Sequence, residues 1–259
     1  NIAFFADTVV LVEGDSDYIV FPHIARLINT ERDCAHLPVR FARIGGKSNI
    51  RRYREFFGKF DSRVLVVTDL DFLLGSEFAQ ITPPANLVTQ RDELLATLDA
   101  LVAAGGGVPA PNAEQTQQAH QKGDLRALWR EVRKQEVEYK AGRIPWDHVA
   151  CAIDEFFAWE RYWARRDILK QALDMNLLQK KRALIDDLRI NGVCVLEKGC
   201  LDDYYPMGIT GDGKPARAQC FCNTVATKEQ ALSLCNNGHK APDGAIVSEF
   251  EAIFRTVFV

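Results

Sequence analysis

Three groups of acidic residues each follow directly after a short apolar run of the chain. Their members are all carboxylates: Glu13, Asp17, Asp69, Asp71, Glu197, Asp202 and Asp203. Carboxylates held close together repel one another and resist ionisation unless a cation neutralises them. Oxygen ligands of this type select hard cations such as Mg²⁺ or Mn²⁺. These residues therefore predict a metal site, provided that the fold brings the three groups together.

The spacing within the groups suits the hydrolysis of a phosphodiester. Two ions about 3.5 to 4 Å apart allow one ion to activate water while the other stabilises the leaving oxygen. Asp69 and Asp71 can face the same way because alternate residues of an extended segment do so. Gly14, next to Glu13, allows a tight turn and the close approach of a phosphate. Asp and Gly are also common in turns and helix caps, so any one group alone is ambiguous.

The elements that must position these groups alternate between strand and helix. The patterns predict strands at 8–12, 39–44, 63–68 and 193–196, and helices at 17–29 and 48–60. Strands that alternate with helices are typical of βαβ units and a parallel sheet. In such a sheet, ligands bind beyond the carboxyl ends of the strands. The acidic groups should therefore converge at one edge of the sheet.

The middle of the chain differs, because apolar residues recur there every three or four positions. This spacing is typical of helices. We therefore predict an α/β fold, with a mostly parallel sheet flanked by helices and an inserted all-helical domain. The sheet domain would comprise 1–85 and 191–259, and the helical insertion 86–190. Further helices are predicted near 228–235 and 248–258.

Two of the acidic motifs resemble those of the Toprim domain, which type IA and II topoisomerases, bacterial primases and several nucleases share. Val10–Asp17 is similar to its first motif, and Val66–Asp71 is similar to its Asp-x-Asp motif. Phe4–Asp7, Gly45–Asn49 and Leu196–Tyr205 are similar to segments of the OLD (overcoming lysogenisation defect) family nucleases. The resemblance implies a Toprim fold and a DNA nuclease joined, in the full-length chain, to an N-terminal ABC-type ATPase. This chain would then be a fragment of a longer protein.

The resemblance also implies a set of metal ligands. They are Glu13, Asp17, Asp69, Asp71, Asp202 and Asp203. The family usually has Leu-Glu-Asp where this chain has Leu201-Asp202-Asp203, so the role of the shorter Asp202 is open. Asp203 or Glu197 could take its place. Two Mg²⁺ or Mn²⁺ ions are the expected cofactors.

Four of the side chains would carry the catalysis by the same resemblance: Glu13, Asp69, Asp71 and Lys198. The three carboxylates would act through the ions that they hold. Lys198 would stabilise the charge that develops on the phosphate or on its leaving oxygen, as cationic groups do in phosphoryl transfer.

A basic segment after the second predicted strand offers contacts to DNA phosphates. Its members are Lys47, Arg51, Arg52 and Arg54. A phosphate-binding loop of the Walker A type would need glycine at position 41, where this chain has Phe41, so we expect no ATP to bind this chain. A helix N-terminus followed by arginines can hold DNA phosphates. A solvated basic helix face is the alternative interpretation.

Composition limits the partners and the compartment. The chain has 259 residues, with 32 Lys and Arg against 35 Asp and Glu, so only a local patch could attract DNA. No apolar run approaches the roughly 20 residues that span a bilayer, so no membrane partner is expected. Seven scattered cysteines and no visible secretory signal favour a reducing cytoplasm. The composition leaves open whether the chain forms a homodimer.

Two other functions fit part of the pattern. Haloacid-dehalogenase phosphatases also use a strand-end Asp-x-Asp, a later lysine and a late acidic pair, but that interpretation leaves Glu13 unused. It also finds Leu73 where a Thr or Val is usual. A non-catalytic module that binds DNA with the help of a metal is the second alternative. A topoisomerase is disfavoured because no second domain offers a tyrosine, although Tyr204 and Tyr205 follow the last acidic group.

A structural zinc site is a weaker possibility. Its ligands would come from Cys200, Cys220, Cys222, Cys235 and His239. The single residue between Cys220 and Cys222 is shorter than the usual spacing of a zinc knuckle, so we do not favour it.

Overall fold

The computed structural model describes residues 6–104, 124–235 and 237–258. The chain divides into two compact units, one formed by Asn1–Leu94 with Asp174–Val259 and the other by Leu95–Leu173. The Phe4–Phe5 part of the OLD-like motif lies outside the described residues. The domain bounds expected from the sequence, with an insertion at 86–190, stay a prediction.

A parallel sheet of four strands organises the first unit. In chain order the strands are β1 (Thr8–Val12), β2 (Val39–Arg43), β3 (Arg63–Thr68) and β4 (Val193–Val195). Their order in the sheet is β2-β1-β3-β4, and every neighbouring pair is parallel. In the register, Val12 lies between Arg43 and Val67. The carboxyl ends of the strands therefore meet at one edge, as the fold class predicted from the sequence requires.

Helices flank this sheet and form much of the remaining described chain. They are α1 (Asp15–Ile28), α2 (Ile50–Gly58), α3 (Ala85–Ala103), α4 (Asp124–Lys140), α5 (Trp146–Gln171), α6 (Met175–Ile190), α7 (Lys214–Thr224), α8 (Lys228–Ser233) and α9 (Glu249–Val257). Within the described ranges, no helix is both long enough and apolar enough to cross a membrane. The α/β class with additional helices, predicted from the sequence, is confirmed.

The core of the first unit explains why its central strands lack the alternation of a surface strand. Val9–Val12 are completely buried. Strands of a parallel sheet that is covered on both faces are continuously apolar for this reason. On one face α1 contributes Phe21, whose ring stacks on Phe41 of β2 and meets Phe250 of α9 edge to face. These contacts fix the strand ends from which the acidic groups project.

Short elements complete the first unit. An antiparallel hairpin is formed by β5 (Gly238–Lys240) and β6 (Ile246–Ser248). Single-turn 3₁₀ helices follow several strands, at Lys47–Asn49, Leu70–Leu73 and Leu201–Tyr204 among other places. They tighten the backbone immediately after the sheet edge, where the predicted acidic residues lie.

The described residues of the second unit form helices joined by short turns. Helices α4 and α5 pack together, with the ring centroids of Trp129 and Phe156 5.2 Å apart. Arg165 of α5 forms an ion pair of 2.6 Å with Asp99 of α3. The helical character of this region agrees with its three- and four-residue apolar spacing.

Candidate functional site

A cavity of about 280 Å³ opens at the carboxyl edge of the sheet. Four carboxylates line it: Glu13, Asp17, Asp69 and Asp202. They come from all three acidic groups of the sequence. The parallel sheet thus brings together residues that lie almost 190 positions apart in the chain.

Glu13 is held at this edge by hydrogen bonds from the neighbouring strand. Its Oε1 accepts a bond of 2.5 Å from the Thr68 hydroxyl and one of 3.2 Å from the Asp69 backbone N–H. Thr68 is the last residue of β3, and Glu13 directly follows β1. The pairing of β1 with β3 therefore sets the position of the Glu13 carboxylate.

Asp17 lies in the first turn of α1, facing the same cavity. Its Oδ2 accepts a hydrogen bond of 2.9 Å from the backbone N–H of Gly14. This bond closes the tight turn between β1 and α1, and it orients the carboxylate. Burial, followed by the nearby charge of Glu13, raises the pKa of Asp17 to about 6.

Asp69 is the carboxylate with the largest perturbation in the cavity. Burial, followed by the charge of Glu13, raises the pKa of Asp69 to about 8. Lys47 opposes this rise, but it does not cancel it. A buried carboxylate beside a second carboxylate favours its neutral form until a cation arrives. The cavity therefore has more negative charge than the surrounding cations balance.

Asp202 completes the cavity from the short helix Leu201–Tyr204. Within the described ranges its buried Oδ1 has no hydrogen-bond partner, and the guanidinium of Arg217 lies 3.6 Å away. A buried acceptor without a donor is costly unless an ion or water satisfies it. The unmet acceptor and the raised pKa values of Asp17 and Asp69 fit a divalent cation. Mg²⁺ retains several waters, for which the cavity has room.

Asp71 is not part of the lining. Its Oδ1 is paired with the ammonium of Lys47, which also lies 3.8 Å from Glu13 Oε1. Burial alone would lower the pKa of Lys47, but the charges of Glu13 and Asp71 outweigh burial and raise it. Lys47, which the sequence suggests as a DNA contact, is therefore bound to the carboxylates themselves.

The two lysines near the site are placed differently from the expectation. Lys198 does not line the cavity, because its Nζ donates to the Leu234 carbonyl at 2.6 Å and lies 5.1 Å from the centre of the Tyr204 ring. Lys214, the first residue of α7, does line the cavity. Sequence reasoning missed Lys214. The pair Gly211 and Gly213 is the sequence signal that could have located it. Both glycines have positive φ and form the turn before α7.

The remaining predicted residues have other contacts. Asp203 Oδ2 accepts a hydrogen bond from the Cys200 backbone N–H at 2.8 Å and caps the short helix. Arg51 is exposed and pairs with Glu55 at 2.9 Å, and Arg52 is also exposed. Arg54 instead donates to the Ile81 carbonyl at 2.9 Å. Only the first two arginines thus present exposed side chains on α2.

A second acidic cluster lies apart from the cavity lining. Glu197, His239 and Glu249 are buried, and their ligand atoms lie within 4.8 Å of one another, the one such group found among the described residues. Glu197 accepts bonds of 2.8 Å from Arg182 and 2.7 Å from His239. Lys181, also buried, adds a further positive charge nearby. We call Lys181, Arg182, Glu197, His239 and Glu249 the buried network.

The carboxylates of the buried network are already satisfied. Glu249 accepts bonds from the Glu197 backbone N–H at 2.6 Å, the Tyr204 hydroxyl at 2.7 Å and the Cys235 thiol at 3.2 Å. Although burial opposes the change, hydrogen bonds from His239 and Arg182 lower the pKa of Glu197 to about 2. An additional cation would have to displace these donors. The carboxylate of Glu197 therefore lies in this network rather than in the cavity.

The cysteines proposed for zinc do not form a metal-ligand cluster in the part of the chain that the structure describes. Cys235 bonds to Glu249, as described above. Cys220 and Cys222 lie on α7, and Cys200 precedes the short helix Leu201–Tyr204. None of these four cysteines takes part in a disulfide within the described part of the chain.

Comparisons with known proteins address the first part of the site. Residues 4–71 match the family model described as "Overcoming lysogenization defect protein-like, TOPRIM domain". No curated protein matches the chain. The C-terminal region of the Xanthomonas campestris pv. campestris OLD protein is 15% identical, with 99% of this chain and 94% of that chain covered and a TM-score of 0.34. The corresponding region of the Burkholderia pseudomallei OLD protein is 17% identical, with 88% and 96% covered and a TM-score of 0.29.

The family match includes the residues Glu13, Asp17, Asp69 and Asp71. It agrees with the four-stranded parallel sheet and its acidic carboxyl edge. The resemblance that the motifs indicated is thus confirmed over residues 4–71, which form an OLD-like Toprim segment.

Proposed function

We propose that this chain is a metal-dependent DNA nuclease that hydrolyses phosphodiesters. The observation that supports this most directly is the cavity in which four carboxylates from three strand ends meet. Two of them, Asp17 and Asp69, have raised pKa values because burial and neighbouring negative charge disfavour their ionised forms. Such a site gains most from a divalent cation.

The carboxylates have distinct roles in this proposal. Glu13, Asp17, Asp69 and Asp202 hold one Mg²⁺ or Mn²⁺ ion in the cavity, and Asp71 contributes to a second position beside Glu13 and Asp69. When bound, the ions supply an activated water and stabilise the leaving oxygen. Thr68 keeps the Glu13 carboxylate in place through its hydroxyl.

A cation is also needed at the phosphate, and Lys214 is the better placed of the two lysines. It lines the cavity, whereas the Lys198 ammonium is occupied by the Leu234 carbonyl. We therefore assign the phosphate contact to Lys214 and expect Lys198 to act only if it leaves that carbonyl. A comparison of Lys214→Met with Lys198→Met tests this. We expect Lys214→Met to lower DNA cleavage more strongly, and the reverse order would restore Lys198 to the role.

DNA and an ATPase complete the proposed setting. Arg51 and Arg52, exposed on α2, extend the positive surface available to a DNA backbone. We further propose that the nuclease works with an N-terminal ABC-type ATPase of the full-length OLD-like chain, in the cytoplasm. A homodimer is compatible with this arrangement.

Plasmid cleavage tests the proposal. Supercoiled DNA is incubated with the purified chain in Mg²⁺, Mn²⁺ or Ca²⁺, and nicked and linear products are measured. We expect cleavage with Mg²⁺ or Mn²⁺, its loss in Glu13→Gln, and no change in the control Glu31→Gln, which alters an exposed carboxylate. Full cleavage by a well-folded Glu13→Gln variant would sink the assignment.

The same assay separates the two alternatives. Binding of DNA without cleavage in all three metals would favour a non-catalytic module. Hydrolysis of a small phosphomonoester without DNA cleavage would favour a phosphatase of the haloacid-dehalogenase type. The geometry supports the nuclease over the phosphatase, because Glu13 bonds to Thr68 and to the Asp69 backbone and so belongs to the site. The phosphatase interpretation leaves Glu13 without a role.

A further inference from the structure

Lys47 lies among the carboxylates at the place where a second metal ion would have to bind. Its ammonium is paired with Asp71 and lies 3.8 Å from Glu13 Oε1. Neither Lys47 nor Asp71 lines the cavity, whereas Glu13 does. The acidic cluster therefore has two sides, an open one at the cavity and one that a lysine already neutralises.

The loop that carries Lys47 is fixed to the same strand as Glu13. The backbone N–H of Ile44 donates to Val12 at 3.0 Å, and that of Gly45 donates to the Glu13 carbonyl at 3.1 Å. Gly45 and Gly46 have φ values of +71° and +119°, which favour glycine at both positions. The backbone of Lys47 is thus held beside Glu13, and its side chain is only 14% exposed.

The charge balance explains what this lysine does to metal binding. The ammonium of Lys47 compensates one negative charge of the pair Glu13 and Asp71, because it lies between these two carboxylates. A divalent ion placed at Asp71 would lie within a few ångströms of this ammonium and would be repelled by it. On the cavity side four carboxylates, Glu13, Asp17, Asp69 and Asp202, share the lining with one lysine, Lys214, so negative charge is in excess there.

We propose that Lys47 is a tethered counter-cation that fills the second cation position. In the absence of DNA the site then binds one divalent ion in the cavity, and a second ion binds only when Lys47 leaves Asp71. The inference rests on the proposed metal-dependent function and deepens it, because it names the residue that controls how many ions are held.

Counting bound Mn²⁺ ions without DNA tests this inference. Equilibrium dialysis and isothermal titration calorimetry are applied to the wild-type chain and to Lys47→Met, which has a similar length but no charge. We expect one ion in the wild type and two in Lys47→Met, with the second ion bound at least tenfold more tightly than by the wild type. Lys47→Arg keeps the charge and should bind one ion. Lys59→Met changes an exposed lysine directly after α2. It is the control and should also bind one ion.

A double variant locates the second ion. Lys47→Met combined with Asp71→Asn should return to one ion, because the ligand exposed by the first change is lost. Melting curves show whether each variant is folded, and Lys47→Gln serves as a second neutral variant if Lys47→Met does not fold. Two ions in the wild type, or one ion in a folded neutral variant, would overturn the inference.

The outcome is distinguishable from failure of the proposed function. One ion in the wild type and two in Lys47→Met, without any DNA cleavage, would support the role of Lys47 and contradict the nuclease. Cleavage of DNA by a chain in which the neutral variants gain no ion would support the nuclease and contradict the role of Lys47. A wild-type chain that binds no Mn²⁺ contradicts both.

Discussion

The cavity and the buried network are both acidic clusters, yet they differ in how their charge is balanced. In the cavity, burial and then the charge of Glu13 raise the pKa of Asp69 to about 8. In the network, hydrogen bonds from His239 and Arg182 lower the pKa of Glu197 to about 2. The first cluster has four carboxylates and one lysine in its lining and is open, whereas the carboxylates of the second are each paired with hydrogen-bond donors.

This difference teaches which cluster is built for a ligand and which for stability. In a network whose carboxylates have partners, removal of one member leaves a buried charge unpaired, which is strongly destabilising. A cavity whose carboxylates repel one another lowers stability until a cation binds. The tighter group of metal-ligand types, Glu197, His239 and Glu249, is therefore the weaker metal candidate of the two.

The sharpest contrast is expected from Asp69→Asn. It should lower DNA cleavage by about a thousandfold or more, as loss of transition-state stabilisation at one essential group does. In metal-free buffer at pH 8 it should not lower the melting temperature, because it removes a carboxylate that resists ionisation when buried. Plasmid nicking and thermal melting are measured on the same preparation. A variant that loses both activity and stability would erase the distinction between the clusters.

Glu249→Leu should act in the opposite way. It leaves the Tyr204 hydroxyl and the Glu197 N–H without their acceptor and removes a negative charge near Lys181, so we expect a loss of about 3 to 5 kcal/mol in the free energy of unfolding. Urea titration measures this loss, with Glu31→Leu as an exposed control. An unchanged midpoint of unfolding would show that the network contributes no net stability.

Addition of metal should stabilise the chain through the cavity alone. Mn²⁺ at a hundred times its dissociation constant should raise the free energy of unfolding by about 2.7 kcal/mol, because it binds the folded state only. The increase should vanish in Asp69→Asn and persist in His239→Gln. If His239→Gln removes the increase instead, the metal binds the buried network.

The smallest expected effect is a pH dependence from His239. Burial alone would lower the pKa of His239, but the hydrogen bonds that its ring donates to Asp186 and Glu197 outweigh burial and raise it to about 9, above its ordinary value near 6.5. Its contribution to stability is thus complete below pH 6.5 and is lost as the pH rises towards 9. At saturating Mg²⁺, which suppresses titration of the cavity, we expect a loss of about 1 to 2 kcal/mol between pH 6.5 and 8.

The control for this effect is His239→Gln, whose stability should vary less with pH over the same range. Burial lowers the pKa of Lys181 to about 8, so Lys181 adds stability as the pH rises beyond that value. For that reason the comparison ends at pH 8. An identical slope in the variant would mean that another group titrates.

Much of the fold was predictable because it depends on local patterns. The strands at 8–12 and 63–68 match the observed bounds, since continuous β-branched runs indicate buried parallel strands. The helix predicted at 17–29 is observed at Asp15–Ile28. Gly14 is the N-cap residue, so the helix begins at Asp15, two residues earlier than the apolar pattern alone indicates. Strand β4 is one residue shorter than predicted.

The candidate site was predictable only where strand ends decided it. Glu13, Asp69 and Asp202 meet because parallel strands end at one edge, a consequence of the predicted topology. Lys198 also follows a strand end, yet its ammonium donates to the Leu234 carbonyl. The spacing of residues in the sequence does not reveal this contact. Lys214 enters the cavity from a helix far along the chain, and its position depends on how α7 packs against α1.

By itself, the sequence determined the sheet, the acidic strand ends and the Toprim resemblance, because period, residue type and motif are local properties. Only the tertiary structure decided which carboxylates share a cavity and which are neutralised by other side chains. Asp71 is paired with Lys47, and Glu197 is paired with Arg182 and His239. Whether a carboxylate is free to bind a cation depends on the charges that surround it in space, and these come from distant parts of the chain.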